Sequence, residues 1–268
     1  MKRVLLLGGL DPSGGAGITL DATVVALHGA QPLPIALVTT AQNRRGFQAF
    51  SPVPEWRRAL IAVLDDGPVE AIKVGLLGDA ELAAAVAQAL RPLRGKVPIL
   101  IDPVLSATAG GFLPHEQLLV AYREQLLPLA SLLLPNALEL DALFGGSVQA
   151  ALRCGAAAVL QKGGHHDGPF ADDVLWTTAG SLRFRRQRLP VGPVRGTGCA
   201  LGAAIVARLA LGSDLASACG GSGDWLAERL QSLGPASSNL PRTLPFAVVQ
   251  PGGQFSRAPA NIDASSGP

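Results

Sequence analysis

Short apolar runs alternate with longer segments of helical period along this chain, and this alternation limits the folds that it can adopt. The runs show no regular polar alternation, which is typical of strands buried on both faces. Strands of that kind occur in parallel sheets covered by helices, so the pattern predicts an α/β fold with a mostly parallel central sheet. The predicted strands are Val4–Leu7, Pro34–Thr40, Ala71–Leu77, Val97–Asp102, Ser131–Leu134 and Ala157–Gln161.

The segments around these runs have the spacing of helices and end at glycine, proline or a charged turn. A more polar stretch, Asp172–Leu189, predicts a hairpin at an edge of the sheet. The predicted helices are Ile18–His28, Pro54–Leu64, Ala80–Leu90, His115–Leu127, Ala137–Phe144, Val148–Cys154, Thr197–Leu211 and Leu215–Leu233.

The chain reads as one domain followed by a tail. Its 268 residues are enough to bury a full core, and we find neither an internal repeat nor a linker before Gly234. After that glycine the composition shifts to Pro, Ser, Gly and Gln. We therefore predict a single domain over residues 1–249 and a disordered tail over residues 250–268.

Composition argues against several classes of protein. A net charge of +2 and an aromatic content of 4% do not favour nucleic-acid binding. Glycine, proline or a charge interrupts every apolar run before it reaches the length of a membrane span, and the run after Met1-Lys2-Arg3 is too short for a secretory signal. Three cysteines suggest neither a disulfide framework nor a zinc site. We expect a cytoplasmic protein with no nucleic-acid or membrane partner.

Polar and glycine residues follow each predicted strand at the point where it ends. In an open parallel sheet, ligands bind beyond the carboxyl ends of the strands. We therefore expect these residues to converge on one crevice that forms the rim of an active site. The residues are Asp11, Gln42, Asn43, Gly75, Gly78, Asp102, Asn136 and Lys162.

A glycine-rich segment, Gly8–Gly17, joins the first strand to the first helix. A dinucleotide-binding loop is one interpretation, but Pro12 and Ser13 disrupt its glycine spacing. A tight turn that allows close helix packing is another. Asp21 follows on the first turn of the helix, either as a surface charge favoured by the helix dipole or as a group that binds a substrate donor.

The segment Gly196-Thr197-Gly198-Cys199 runs directly into a helix of small residues. Its glycines free backbone N–H groups to point at one spot, and the helix N-terminus adds positive potential, an arrangement that binds phosphate. The same field is expected to lower the pKa of the Cys199 thiol. The alternative is a small buried cysteine that packs against glycine.

Asn136 and Glu139 have the spacing of a helix capping box. The alternative is that both groups surround hydrated Mg²⁺, which needs few protein ligands. Lys162, before Gly163 and Gly164, either lies near phosphates or is a solvated lysine.

These motifs together resemble the hydroxymethylpyrimidine and phosphomethylpyrimidine kinases of thiamine biosynthesis. The resemblance runs collinearly from about Val4 to Leu230. Its motifs are Gly-x-Asp-Pro-Ser-Gly-Gly-Ala-Gly-Ile before Asp21, Thr40-Ala41-Gln42-Asn43, Ile72-Lys73-Val74-Gly75-Leu76-Leu77, Asp102-Pro103-Val104, Pro135-Asn136-x-x-Glu139, Lys162-Gly163-Gly164-His165 and Gly196-Thr197-Gly198-Cys199.

The resemblance implies a three-layer α/β/α ribokinase-like fold, commonly dimeric, and a kinase that uses ATP and Mg²⁺. Its small-molecule substrates would be a pyrimidine alcohol, 4-amino-5-hydroxymethyl-2-methylpyrimidine, and then the monophosphate of that alcohol. Gly196, Thr197, Gly198 and Cys199 would form the catalytic anion hole, with Cys199 at the position of the catalytic base. The pyrimidine site would contain Gly9, Asp21, Gln42, Leu76 and Val104. The nucleotide would contact Asn136, Lys162 and Gly164, and the metal ion would be held by Asp102 and Glu139.

One position departs from the family pattern. The family carries a lysine shortly after Asp-Pro-Val, where this chain has Thr108. The absent cation puts handling of the phosphorylated substrate in question. The competing interpretations are a pyridoxal kinase of the same superfamily, a nicotinamide-dependent dehydrogenase and a pyrimidine-binding regulator without activity.

Overall fold

A computed structural model describes residues 1–105, 115–164, 168–236 and 240–246. The chain alternates strands and helices through most of this range. The strands are β1 (Arg3–Leu10), β2 (Gln31–Asn43), β3 (Gly46–Pro52), β4 (Ala71–Val74), β5 (Ile99–Ile101), β6 (Leu132–Leu133), β7 (Ala158–Gln161), β8 (Phe170–Thr177), β9 (Gly180–Gln187), β10 (Val194–Arg195) and β11 (Arg242–Thr243). The helices are α1 (Gly17–Leu27), α2 (Trp56–Asp65), α3 (Ala80–Leu90), α4 (Glu116–Ala121), α5 (Ala137–Phe144), α6 (Val148–Arg153), α7 (Thr197–Ala210) and α8 (Leu215–Gln231).

Within the described residues, β1 to β9 form one sheet in the order β3-β2-β1-β4-β5-β6-β7-β8-β9. The strands from β2 to β7 pair in parallel, whereas β3, β8 and β9 are antiparallel additions at the two edges. The predicted mostly parallel sheet is therefore confirmed. Its carboxyl edge carries the segments that follow β1, β2, β4, β5, β6 and β7.

Helices cover both faces of this sheet. Alternate residues of β1 show why its run is apolar throughout: Leu5 and Leu7 belong to one core, and Val4 and Leu6 belong to the other. The first core lies under α2 to α6, and the second lies under α1, α7 and α8. The result is the predicted three-layer arrangement, in which a strand buried on both faces needs no polar alternation.

Most predicted elements differ from the structure by a few residues at their ends, and β10 and β11 were not predicted. The larger differences lie after β2 and after α4. Strand β2 continues to Asn43 and turns into β3, which was not predicted because β3 is short of buried residues. The predicted helix His115–Leu127 is regular only over α4, and it continues as a π-helical segment, Tyr122–Leu126, and a 3₁₀ turn. Pro128 lies in that turn, where it removes a backbone donor that a regular helix needs.

The predicted hairpin is confirmed as β8 and β9. Arg186 of β9 ties it to α8: its Nε lies 2.9 Å from Asp224 Oδ1, and its Nη2 donates to the Gly220 carbonyl at 2.7 Å. The hairpin therefore sits at a defined position beside α8.

Thr108, His165, His166 and residues 250–268 lie outside the described residues, so the boundary between domain and tail stays a prediction. Of the helices that are described, none combines the length and the apolar character needed to cross a bilayer.

Candidate active site

Two glycine loops meet at the N-terminus of α7. Gly196 is the N-cap residue of this helix and has a left-handed backbone, with φ of 74°. A Cβ at this position would collide with the backbone carbonyl of Gly15 and with the Leu20 side chain. Only glycine allows this close approach, so the loop that follows β1 and the loop that precedes α7 form one continuous surface.

Helix α7 begins at Thr197, so the amides of its first turn have no carbonyl partners within the helix. Those N–H groups and the helix dipole make the segment from Gly196 to Cys199 suited to an anion. A Cβ on Gly198 would lie 3.4 Å from Lys162 Nζ, which shows that this lysine faces the same end of α7. The helix amides and an ammonium therefore border one region.

A row of buried charges runs beneath this region. Lys73 Nζ lies 2.8 Å from Asp21 Oδ2 and 3.9 Å from Asp102 Oδ2. Lys162 Nζ lies 2.8 Å from Asp102 Oδ1 and 3.5 Å from Glu139 Oε2. Asp21, Lys73 and Asp102 are each 1–2% exposed. Two ammonium groups thus alternate with three carboxylates. Each of these five groups comes from a different element or strand end.

Burial and charge shift the ionisation of these groups in different directions. Burial raises the pKa of Asp21 to about 6, although Lys73 opposes the shift. Burial likewise raises the pKa of Glu139. At Asp102 burial is outweighed by Lys162 and Lys73, which hold its pKa below the usual range. Burial alone would lower the pKa of both lysines, but the adjacent carboxylates raise it above the ordinary value.

The structure corrects the expectation that Asp21 lies in the first turn of α1. The helix begins at Gly17, which puts Asp21 in the second turn, with its side chain buried rather than on the surface. Its Oδ2 accepts from Lys73, whereas the buried Oδ1 has no hydrogen-bond partner among the described residues. Asp21 therefore has one oxygen free to accept a proton or a hydrogen bond.

The expectation of a lowered thiol pKa at Cys199 is wrong. Burial raises the pKa of this thiol to about 11, more than the nearby Lys73 and the Gly17 amide lower it. Helix position alone predicts the opposite shift. The desolvation that reverses it arises because the loop from β1 covers α7. Cys199 is a neutral thiol near neutral pH.

Lys73 is the residue of this row that sequence reasoning missed. It lies in β4, between apolar neighbours, with 1% of its side chain exposed. A Cβ on Gly202 of α7 would come within 2.8 Å of Lys73 Cε, so this glycine makes room for the lysine stem under the helix. A charged residue inside a fully buried strand was the available signal, because such a residue needs a buried partner.

A second polar network lies on the other side of the two loops. Arg195 Nη2 donates to Asp11 Oδ2 at 3.1 Å and to Gln42 Oε1 at 2.8 Å, and only 5% of the arginine side chain is exposed. Asp11 is fully buried, and its Oδ1 accepts from the backbone N–H and the hydroxyl of Ser13. Gln42 Nε2 donates to Thr40 Oγ1 at 2.9 Å. Arg195 thus joins the ends of β1 and β2 to the segment from Gly196 to Cys199, which is called the anion loop below.

The other residues expected to bind substrate lie at the ends of β1, β4 and β5. A Cβ on Gly9 would lie 3.0 Å from Leu76 Cδ2, which places these two positions side by side. Val104 is half-buried just beyond β5, and its amide donates to the Asp102 carbonyl at 2.8 Å. Gln42 belongs to the Arg195 network, whereas Asp21 belongs to the charge row.

The residues expected to bind nucleotide follow β6 and β7. Asn136 Oδ1 accepts from the Glu139 amide, and Glu139 Oε2 accepts from the Asn136 amide, so the predicted capping box is confirmed. Asn136 also pairs in parallel with Lys162. Lys162 is an ion-paired group, not a solvated lysine. The next amide, that of Gly163, donates to Asp173 Oδ1 of the hairpin, and Gly164 is exposed beyond it.

The carboxylates of this row suit Mg²⁺ by their chemistry, because Mg²⁺ prefers oxygen ligands and keeps most of its waters. Asp102 uses both oxygens in contacts with lysines, so it acts on an ion through its charge. Both contacts recorded for Glu139 use Oε2, which leaves Oε1 available. No group of three or more potential ligand side chains occurs in the part of the chain that the structure describes. The available oxygen of Glu139 and the charge of Asp102 fit an Mg²⁺ ion that keeps most of its waters.

The chain is similar to known proteins of one family. The family model described as phosphomethylpyrimidine kinase matches residues 11–241. A hydroxymethylpyrimidine/phosphomethylpyrimidine kinase of Rhizobium meliloti is 36% identical over 227 residues, which cover 80% of this chain and 85% of the relative. The enzyme of the same name from Escherichia coli is 32% identical and covers 86% of this chain and 92% of the relative.

Two solved structures have the same fold. Phosphomethylpyrimidine kinase from Clostridium difficile superposes with a TM-score of 0.74 at 27% identity, covering 85% of this chain and 99% of that one. An ADP complex of pyridoxal kinase from Bacillus subtilis gives 0.76 at 25% identity, with 85% and 91% covered. The family match over residues 11–241 includes the contact between Gly15 and Gly196 and all five members of the charge row, and membership of a kinase family excludes the dehydrogenase interpretation. The chain belongs to the phosphomethylpyrimidine kinase family and is a phosphotransferase with a ribokinase-like fold.

Proposed function

We propose that this protein transfers the γ-phosphoryl group of ATP to the hydroxymethyl group of 4-amino-5-hydroxymethyl-2-methylpyrimidine and then phosphorylates the resulting monophosphate. The observation that carries the proposal is the junction of two glycine loops at the N-terminus of α7, directly above a row of buried charges. Phosphoryl transfer depends mainly on positioning and on stabilising charge, and this junction supplies both.

The anion hole would consist of Gly196, Thr197, Gly198 and Cys199. Their backbone N–H groups face the region where charge develops on the transferred phosphoryl oxygens. Because the donors belong to the rigid start of α7, they need no rearrangement during the reaction.

The nucleotide would lie on the side of β6 and β7. Lys162 would contact its phosphates, and Asn136 and Gly164 would line its binding region. Mg²⁺ would be held beside Glu139, with Asp102 contributing charge, and it would neutralise the phosphate oxygens of the nucleotide when bound. The contacts of Lys162 with Asp102 and Glu139 support this division, since one lysine orients both carboxylates.

The acceptor alcohol would lie on the opposite side, among Gly9, Asp21, Gln42, Leu76 and Val104. Its hydroxyl oxygen attacks the γ-phosphorus, the bond from that phosphorus to the bridging oxygen breaks, and ADP leaves with the electron pair. The hydroxyl proton passes to Asp21. The unpaired buried Oδ1 of this carboxylate and its pKa of about 6 support the assignment, because a base works best when its pKa lies near the working pH.

Cys199 would border the reacting oxygen rather than take the first proton. A thiol whose pKa is about 11 offers very little thiolate at neutral pH. A neutral thiol at this point does not compete with the alcohol for the phosphoryl group, because the thiolate is the nucleophilic form.

Pyridoxal phosphorylation is the second candidate, because the described fold superposes on the Bacillus subtilis pyridoxal kinase as well as on the Clostridium difficile enzyme. A coupled assay of ADP release with the pyrimidine alcohol, its monophosphate and pyridoxal separates the two. We expect the highest kcat/KM with the pyrimidine alcohol. A higher value with pyridoxal would overturn the proposal, and tight ligand binding without ADP release would indicate a regulator.

We also propose a homodimer in the cytoplasm, where ATP is supplied. Size-exclusion chromatography coupled to light scattering measures the oligomeric state. Fractionation of cells measures the location.

A further inference from the structure

The side-chain amide of Gln42 has two hydrogen-bond partners, and each partner allows only one orientation of the amide. Arg195 Nη2 lies 2.8 Å from Oε1, and an arginine can only donate hydrogen bonds. Thr40 Oγ1 lies 2.9 Å from Nε2, and the threonine hydroxyl donates its own proton to the Leu10 carbonyl at 2.9 Å. The hydroxyl can therefore only accept from Gln42. Both partners fix the amide oxygen toward Arg195 and the amide nitrogen toward Thr40.

This arrangement is itself anchored. The guanidinium of Arg195 also donates to Asp11 Oδ2 at 3.1 Å and lies 3.4 Å from Ser13 Oγ. Asp11 is held in turn by the backbone and hydroxyl of Ser13. With 5% of its side chain exposed, Arg195 has little freedom to swing away from Gln42. The fixed orientation of the glutamine thus depends on a buried ion pair.

Gln42 keeps two unused capacities, one N–H and one lone pair on Oε1. An amide has two N–H groups and an oxygen with two lone pairs, and the internal network takes one of each. Arg195 directly precedes Gly196, so the half-buried Gln42 lies one side chain away from the anion loop. The internal partners fix the order in which this remaining donor and this remaining acceptor are presented.

We propose that Arg195 is a positioning residue that sets ring specificity by locking the Gln42 amide, so that the site selects a ring with a nitrogen acceptor beside an amino donor. The inference rests on the proposed function. A 4-aminopyrimidine presents this pair through its ring nitrogen and its 4-amino group. Its 4-oxo analogue presents a ring N–H and a carbonyl, which is the reverse order and requires the amide to flip. A flipped amide would place Nε2 against the Arg195 donor.

The test compares 4-amino-5-hydroxymethyl-2-methylpyrimidine with its 4-oxo analogue in kcat/KM and, without nucleotide, in calorimetric Kd. We expect the wild-type protein to prefer the amino compound by at least about tenfold, because a site built to hydrogen-bond a group rejects an analogue that leaves its polar atoms unpaired. Most of the difference should lie in KM and Kd, because in this proposal Gln42 binds the ring and not the reacting oxygen.

In Arg195→Gln the new side chain can either donate a hydrogen bond to the Gln42 amide or accept one from it, so the amide is free to flip. We expect the preference for the amino compound to fall about tenfold, toward equal values for the two compounds. The double variant Asp11→Asn/Arg195→Gln makes the same change without leaving the buried Asp11 carboxylate unpaired. It is measured if the single variant does not fold. Arg3→Lys is the matched control: Arg3 lies at the start of β1, where its guanidinium bonds Asp66, and its substitution should leave the preference unchanged.

An unchanged preference in a folded Arg195→Gln or double variant would overturn the inference. Equal Kd values of the wild-type protein for the two compounds would overturn it as well. A failure of the proposed function is separate, because it appears as no turnover of the amino compound while the two Kd values still report on the lock.

Discussion

At the scale of single residues, the site combines groups whose ionisation is set more by burial than by their own chemistry. Asp21 and Cys199 lie under the same two loops, and burial raises the pKa of both. The carboxylate stays within reach of neutral pH at about 6, whereas the thiol moves to about 11. The residue that motif reading favours as the base is therefore the weaker candidate at physiological pH.

Turnover should depend on the ionised form of Asp21. With a pKa of about 6, this carboxylate is protonated below that value and ionised above it. We expect kcat to fall about tenfold per pH unit below pH 6 and to stay level between about pH 7 and pH 9. A pH profile of kcat at saturating ATP measures this dependence. The Asp21→Asn variant should lose the fall of kcat below pH 6.

The alternative outcome is equally clear. If the Cys199 thiolate were the base, kcat would keep rising about tenfold per unit from pH 7 toward its pKa of about 11. Such a rise, abolished in Cys199→Ala, would contradict the assignment of Asp21.

At the scale of elements, the start of α5 has a structural and a proposed catalytic task in the same two residues. Glu139 closes the capping box through Oε2 and also lies near Lys162. Glutamine can fill the same position of a capping box, so the two tasks can be separated by a substitution that removes only the charge.

Glu139→Gln should change the melting temperature little while raising the Mg²⁺ concentration for half-maximal activity severalfold, because a neutral amide attracts the ion less. Asn136→Ala should instead cost about 1 kcal/mol of stability through loss of the cap. Calorimetry and Mg²⁺ titrations of the ADP-release assay measure both effects. An unchanged Mg²⁺ dependence in Glu139→Gln would remove this residue from the metal site.

Strand β4 carries the charge that keeps the row together. Lys73→Met would leave Asp21 and Asp102 buried without this partner, and breaking a buried pair typically costs about 3–5 kcal/mol. We expect a loss of that size in urea unfolding. Lys96→Met is the control, because Lys96 is exposed and its substitution should cost less than about 0.5 kcal/mol. Equal stability of the two variants would show that the row contributes nothing to folding.

At the scale of the whole molecule, one sheet brings residues from distant parts of the sequence to a single edge. Arg195 and Asp11 are 184 positions apart, and Lys73 and Asp21 are 52 positions apart. The domain that does this is predicted to end near residue 249, and the described residues reach 246.

Deleting residues 250–268 should leave the melting temperature within about 2 °C and kcat within twofold, because this segment contains few large apolar side chains that could dock on the domain. Thermal unfolding and the ADP-release assay of the shortened chain measure both. A larger loss of either would show that the predicted boundary is wrong and that the tail belongs to the domain.

Much of the architecture could be predicted because it depends on local patterns. Apolar runs without polar alternation predicted the parallel strands, and glycine and proline predicted most helix ends. The antiparallel β3 and the break after α4 could not be predicted, because an exposed edge strand and a π-helical turn leave weak signals in hydrophobic spacing.

Sequence patterns are enough to predict the fold class, the two glycine loops and the polar residues at the strand ends, since each of these depends on residues close together in the chain. The folded structure sets how those residues act on one another. It paired Lys73 with Asp21, locked Gln42 through Arg195 and raised the pKa of Cys199. Burial and ion pairing depend on which distant segments of the chain cover a group, and a local sequence pattern does not contain that information.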